Sequence, residues 1–329
     1  METELLSHLK GRKLQIWSDF LSNAGLEADP RSDTTALIWD EGQLIAAGSR
    51  LGNLLKCIAV DESRQGEGLT ATVLTALRQD AFAAGHKHLF LYTKPKNRLQ
   101  FSSLFFYPIV QTDQILLMED RRNGIKDFLN SLPAPCTAGT VGALVMNCNP
   151  FTLGHRHLIA TAAKECDHVY VFVLSEEQSR FPAKDRMEMV LAGTADLPNV
   201  TVLPTGPYLI SSATFPTYFL PDRETARQAK CRLDIAVFLQ YFVPKFGINT
   251  RYVGTEPLSP MTNLYNQSLE SALPPAGIAL RQIPRLTDAG GKPISASAVR
   301  AYLDAGQPEM LRHLVPDTTY QHLQAMGLI

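Results

Sequence analysis

A hydroxyl, an imidazole and a run of small turn-forming residues meet in Asn147-Cys148-Asn149-Pro150-Phe151-Thr152-Leu153-Gly154-His155. The string follows an apolar stretch, Val141–Met146, and precedes a helix-like stretch, Arg156–Cys166. A strand that empties through a turn into a helix gathers backbone N–H groups and a helix N-terminus at one point, which makes an anion site. Thr152 and His155 stand three apart and share a face if the helix begins at Thr152. Gly154 between them leaves space where a Cβ would obstruct backbone or phosphate. A hydroxyl, an imidazolium and several N–H donors would suit nucleotide phosphates. A threonine cap with a polar residue in the first helical turn explains the same residues without a ligand.

A second cluster is Gly291-Lys292-Pro293-Ile294-Ser295-Ala296-Ser297-Ala298-Val299-Arg300. Glycine and proline punctuate the approach, and Ser295 is placed as N-cap of a helix through Ala301, Tyr302 and Leu303. Ser297 and Arg300 then share a face of its first turns. An arginine there opposes the helix dipole unless an anion is held nearby, and phosphate suits its planar fork. A serine cap beside a solvated arginine is the alternative. Two further segments end predicted strands: Ser179–Arg186, with Arg180, Lys184 and Arg186, and Tyr252–Pro257, with Gly254 and Glu256. Cys148 reads as a small residue filling a tight turn rather than a nucleophile.

The elements that must carry these residues fall into two patterns. Up to residue 132 the order is a helix, Leu14–Ala24, strands Thr35–Trp39 and Gln43–Ser49 around the turn Asp40-Glu41-Gly42, and a strand Leu54–Val60. A Gly-rich turn, Asp61–Gly68, leads to an amphipathic helix through Ala84 and a strand His88–Thr93. Asn130–Pro135 breaks both periodicities and reads as a linker. From residue 138 to 329, strands Val141–Met146, Val169–Leu174, Val200–Leu203 and Thr250–Val253 alternate with helices His155–Cys166, Lys184–Ala195 and Glu224–Tyr241. That alternation predicts a Rossmann-like, doubly wound parallel sheet with its ligands at the strand carboxyl ends.

Composition narrows the class. The 329 residues are 45% hydrophobic and 19% charged, with a net charge of −1, so bulk electrostatics give no reason to expect a nucleic acid partner. Five scattered cysteines form no C-x-x-C pair and argue against a zinc site or a disulfide framework. The first residues lack a signal-peptide pattern, and no run approaches the ~18 apolar residues needed to cross a membrane. A cytoplasmic protein is expected.

Thr152–His155 resembles the Thr/His-x-Gly-His signature of the adenylyl/cytidylyltransferase superfamily, and Ile294–Arg300 resembles its second signature, Ile-Ser-x-Ser/Thr-x-x-Arg. Thr152 takes the slot where a second histidine can stand. The resemblance implies that His155 and its neighbours stabilise charge at the α-phosphate. It also implies that Lys184 and Arg186 belong to a loop over the phosphates, and that Gly254 lies in a turn shaping the nucleotide site. Glu256 could bond ribose, organise a metal or be a plain loop carboxylate.

The N-terminal order resembles GNAT acetyltransferases, with Arg64–Leu69 at their pyrophosphate loop, although Ser63 departs from the usual first position and no acetyl-transfer base is evident. Taken together, the chain resembles the citrate lyase ligases. The strings Asn147–His155, Leu209–Pro216, Val253–Asn266 and Ile294–Arg300 carry this resemblance. It implies a GNAT-like α+β domain joined to an α/β nucleotidyltransferase domain. The implied reaction uses ATP and Mg²⁺ to form acetyl-adenylate from acetate, then acetylates the thiol of the CoA-like prosthetic group on the citrate lyase acyl carrier subunit. His155, Thr152, Lys184 and Arg186 are the implied catalytic residues. Asn147, Asn149, Phe151, Gly154, Gly254, Glu256, Ser295, Ser297 and Arg300 are implied to bind the nucleotide, and Gly66 and Gly68 the prosthetic arm, with no metal ligand from the protein. A nucleotidyltransferase making a dinucleotide or CDP-alcohol, and a GNAT acetyltransferase with a nucleotide-sensing second domain, are the alternatives.

Overall fold

The computed structural model describes residues 1–135, 139–176, 179–209, 215, 217–220, 222–256 and 259–329. The chain forms two compact units, residues 1–124 with 216–233, and residues 125–215 with 234–329.

The first unit runs β1 (Glu2–Leu6), α1 (Gly11–Asn23), β2 (Thr34–Asp40), β3 (Gln43–Leu51), β4 (Leu54–Val60), α2 (Leu69–Ala83), β5 (Phe90–Thr93), α3 (Arg98–Ser103), β6 (Tyr107–Gln111) and β7 (Leu116–Glu119). Its seven-stranded sheet has the order β1-β2-β3-β4-β5-β7-β6. Asp40 pairs with Gln43, which leaves the two-residue loop Glu41-Gly42. Both loop residues have positive φ (49° and 84°), as a type I′ hairpin demands. β4 and β5 run parallel and pair only at Leu54–Phe90 and Leu55–Leu91. Val73 and Leu77 of α2 press on the sheet at Gly48, where a Cβ would stand 2.5 Å from the Val73 side chain. β1 was not foreseen: its five residues are mostly exposed, so they carry no strong apolar signal.

The second unit begins with α4 (Gly124–Ser131), whose first residue still counts with the first unit, and continues with β8 (Val141–Met146) and α5 (Leu153–Glu165). There follow β9 (His168–Val173), α6 (Ala183–Gly193), β10 (Val200–Pro204), α7 (Arg223–Val237), α8 (Val243–Phe246), β11 (Thr250–Gly254), α9 (Pro260–Ala272), β12 (Ala279–Ile283), α10 (Ala296–Asp304) and α11 (Asp317–Ala325). Most of α7 counts with the first unit. All neighbours in the sheet β10-β9-β8-β11-β12 are parallel. Its central strands β8 and β9 are mostly apolar, and both are buried along most of their length, as strands covered on both faces are. The strand order reverses between β8 and β11, so the carboxyl ends of these two strands flank the crevice where such sheets bind ligands.

The predicted helix Glu224–Tyr241 is interrupted. After α7 a widened π-helical turn, Phe238–Phe242, precedes α8. Pro244 in α8 lacks the N–H that a continuous α-helix would need there. Among the described residues no helix is long and apolar enough to cross a membrane. Cys57, Cys148, Cys166 and Cys231 are buried.

Candidate active site

β8 ends at Met146, and the loop 147–152 delivers the chain to α5. Thr152 is the N-cap: its Oγ1 accepts from the His155 N–H (3.3 Å), while the Thr152 N–H donates to Nδ1 of His155 (3.1 Å). This reciprocal capping box satisfies two donors at the helix start. The Thr152 hydroxyl also lies 2.9 Å from Nδ1 and is 1% exposed. Thr152 is thus turned toward the imidazole and positions it, where the resemblance implied a catalytic group.

With Nδ1 accepting, the imidazole proton resides on Nε2, which has no hydrogen bond among the described residues. Burial, with the charge of Arg285 nearby, lowers the His155 pKa to about 4. The imidazolium envisaged from the sequence is therefore replaced by a neutral ring that donates from Nε2.

Phe151 is fully buried and stacks on His155, with centroids 5.9 Å apart and planes at 14°. Its ring rests on Gly193, where a Cβ would come within 2.4 Å. Phe151 is a floor for the imidazole, and its ring is closed to a nucleotide. A Cβ on Gly154 would lie 3.1 Å from the Ile294 carbonyl, so this glycine admits the second motif's backbone rather than a phosphate. The contact joins the two helix starts. Ser295 caps α10 by accepting from the Ala298 N–H (3.1 Å). The amides of Gly154, Ala296 and Ser297 carry no hydrogen bond among the described residues, and remain as donors at two helix N-termini.

Arg300 donates to the Asn149 carbonyl (2.5 Å) and to Ser297 Oγ (3.0 Å). No carboxylate pairs with it among the described residues, whereas the adjacent Arg180 is taken by Asp304 at 2.5 Å. Burial, then the charge of Arg180, pull Arg300 below the ordinary guanidinium value, and the charge of Asp304 offsets part of this.

Other residues expected at the phosphates have different work. Arg186 is fully buried and donates to the carbonyls of Phe181 (3.0 Å) and Glu176 (2.5 Å) and to the Asn147 carbonyl (2.9 Å) and Oδ1 (2.6 Å). Asn147 Nδ2 donates to Ser179 (3.3 Å), and Asn149 Oδ1 accepts from the Phe181 N–H (3.1 Å). These three side chains brace the 147–152 loop against Glu176, Ser179 and Phe181. Lys184 is 85% exposed, 3.9 Å from Glu188, and is not gathered with the others. Cys148 is fully buried and its thiol is pushed well above the ordinary value, so it is no nucleophile. Asp185, Glu188 and His322, on α6 and α11, form a cluster with metal-ligand atoms, but no site residue takes part.

At the end of β11 the Gly254 carbonyl accepts from Asn266 (3.0 Å), and the space beside its Cα is open. Glu256 accepts from the Ser259 N–H (3.0 Å) and pairs with Arg285, so among its open readings it is a loop carboxylate that holds a cation. Sequence reasoning missed Arg285. The signal was a cation two residues past Ile283, but β12 mixes apolar and polar residues and is largely exposed, so it carries no clear strand pattern. Of the family-like strings, residues 210–214, 216 and 257–258 lie outside the described residues.

In the first unit, Gly66 and Gly68 have φ of 92° and 77°, with nothing within 4 Å of a built Cβ. Their conformation, not crowding, calls for glycine. They line a cavity of about 710 Å³ with Arg64, Gln65, Thr70 and Lys96.

The family model for the citrate lyase ligase C-terminal domain matches residues 141–323. The [citrate [pro-3S]-lyase] ligase of Escherichia coli K12 is 37% identical over 324 residues, covering 96% of this chain and 91% of its own. The enzyme of that name from Klebsiella pneumoniae is 38% identical over 314 residues, covering 94% and 92%. With identity at this level along nearly the whole of each chain, and with both helix-start motifs inside the matched region, this chain belongs to the citrate lyase ligase family.

Proposed function

We propose that the chain activates citrate lyase by acetylating the thiol of the prosthetic group on its acyl carrier subunit, with acetyl-adenylate as intermediate. An acetate oxygen attacks the α-phosphorus of ATP, and the bond to the β-phosphate bridging oxygen breaks as pyrophosphate leaves with the electron pair. The thiol sulfur then attacks the acetyl carbonyl carbon. The carbon–oxygen bond to AMP breaks, and the thiol proton passes to solvent. The observation that carries this reading is the meeting of two capped helix starts at Gly154 and Ile294, with the His155 Nε2 donor and the Arg300 cation beside free amides. Phosphoryl chemistry asks the protein for alignment and charge stabilisation rather than covalent steps.

His155 would stabilise the α-phosphate, and Ser297 and Arg300 the departing pyrophosphate. Mg²⁺ fits as the nucleotide's own counter-ion, since Glu256 is engaged by Arg285 and Ser259. It would neutralise phosphate charge. Acetate-dependent ATP–pyrophosphate exchange tests the first step. Exchange that is absent with acetate, or undiminished without it, would return the chain to the other nucleotidyltransferase readings. Arg300→Ala is expected to reduce ATP affinity and exchange more than Ser297→Ala, because it removes a charge-assisted fork. Unchanged affinity in both would reduce the motif to helix capping.

In this reading the cavity beside Gly66 and Gly68 takes the prosthetic arm, whose pyrophosphate suits consecutive N–H groups. Gly66→Asp places a carboxylate there at a positive φ. Acetyl transfer to deacetylated citrate lyase should fall, and acetate-dependent exchange should hold. Equal loss in both assays, or equal retention, would remove the arm from this loop.

A further inference from the structure

The segment between β12 and α10 folds back on itself. Leu286 O accepts from the Ile294 N–H (2.9 Å), Thr287 bridges to Pro293, and Asp288 N–H donates to Lys292 O (2.8 Å). The outgoing limb begins with Arg285, and the returning limb ends at Ile294, whose carbonyl abuts Gly154. The strap thus draws Arg285 toward the helix start that carries His155. Two groups on the adjacent β11 loop hold the guanidinium: Nε donates to the Thr255 carbonyl (2.8 Å), and Nη2 pairs with Glu256. Glu256 is itself fixed by the Ser259 N–H and is 4% exposed, whereas Arg285 is 27% exposed. Nη1 carries no hydrogen bond among the described residues. An arginine anchored along one edge, with the rest of its fork open at the carboxyl ends of parallel strands, is built to take an anion from the crevice.

We propose that Arg285 is a further anion-binding residue of this site and holds a phosphate group of the bound nucleotide beside His155. The assignment rests on the nucleotide reading above and adds to it the group that supplies fixed positive charge. A neutral His155 contributes a hydrogen bond and no charge, and the nearby guanidinium is one reason it stays neutral. The two side chains divide between them what an imidazolium would have done alone. Glu256 then serves the site indirectly, by fixing the guanidinium plane.

The test is equilibrium titration of the full-length chain with ATP, inorganic pyrophosphate and adenosine, followed by calorimetry. Arg285→Met should weaken ATP and pyrophosphate roughly ten- to a hundred-fold, the range for a lost charge-assisted hydrogen bond. Adenosine should bind as before, and Arg285→Lys should recover part of the phosphate affinity. Arg285→Met strands a buried carboxylate, so Glu256→Gln with Arg285→Met provides a second variant free of that charge, and the same phosphate-selective loss is expected. Undiminished ATP and pyrophosphate binding in both variants would overturn the assignment and leave the nucleotide reading standing. Equal weakening of adenosine and ATP would also overturn it, since a scaffold role predicts that result. Failure of the wild type to bind ATP would overturn both.

Discussion

His155→Ala is expected to lower acetate-dependent ATP–pyrophosphate exchange roughly 100- to 1,000-fold, since losing one preorganised donor to a developing oxyanion costs about 2.7–4 kcal/mol. The variant should still fold, because Thr152 Oγ1 keeps the residue-155 N–H as a donor and Phe151 stays buried. A folded variant with near wild-type exchange would sink the assignment. The pH dependence adds an independent check. With its pKa lowered to about 4 in the folded state, His155 has no titration to impose on activity between about pH 6 and 8. In the unfolded chain it protonates near the ordinary value of about 6.5. Its contribution to stability is therefore fully present above about pH 6.5 and is lost as pH falls toward 4, where the unfolded state binds the extra proton. The melting temperature of His155→Ala should show less of that decline than the wild type.

What could be read from the sequence was whatever local chemistry determines. Val141–Met146 is apolar at every position except Gly142 and forms β8 with those bounds. Thr152 and Ser295 are cap residues by type, and both cap. What could not be read were the partners a side chain finds across the fold. Arg186 is expected at the phosphates only because its segment resembles the superfamily's phosphate loop, yet its acceptors lie as far as 39 residues away in sequence. Gly154 suggested room for a phosphate, but the neighbour that needs the room is the Ile294 carbonyl, which only tertiary packing brings there. Phe151 sat within a ligand-like string and was read with it, although its type favours burial. Arg285 was overlooked because an exposed edge strand such as β12 carries little periodic signal.

Arg186 yields the sharpest contrast between a ligand and a brace. A phosphate-binding arginine, when removed, raises the KM for ATP and leaves the fold unharmed. A buried brace does the reverse. Its guanidinium reaches four acceptors on three residues, Asn147, Glu176 and Phe181, from a fully buried position. Arg186→Leu deprives buried carbonyls of a donor, and each such loss costs about 1–3 kcal/mol. A drop in unfolding free energy of roughly 3 kcal/mol or more is expected. Arg186→Lys should recover little of it, because an ammonium cannot reproduce a planar fork over several acceptors. Exchange should fall through kcat, since the 147–152 loop that sets His155 is no longer held, while ATP affinity measured on the folded fraction stays close to wild type. Denaturant titrations and steady-state exchange on both variants decide the matter. A normal unfolding free energy with a raised KM would restore Arg186 to the phosphates.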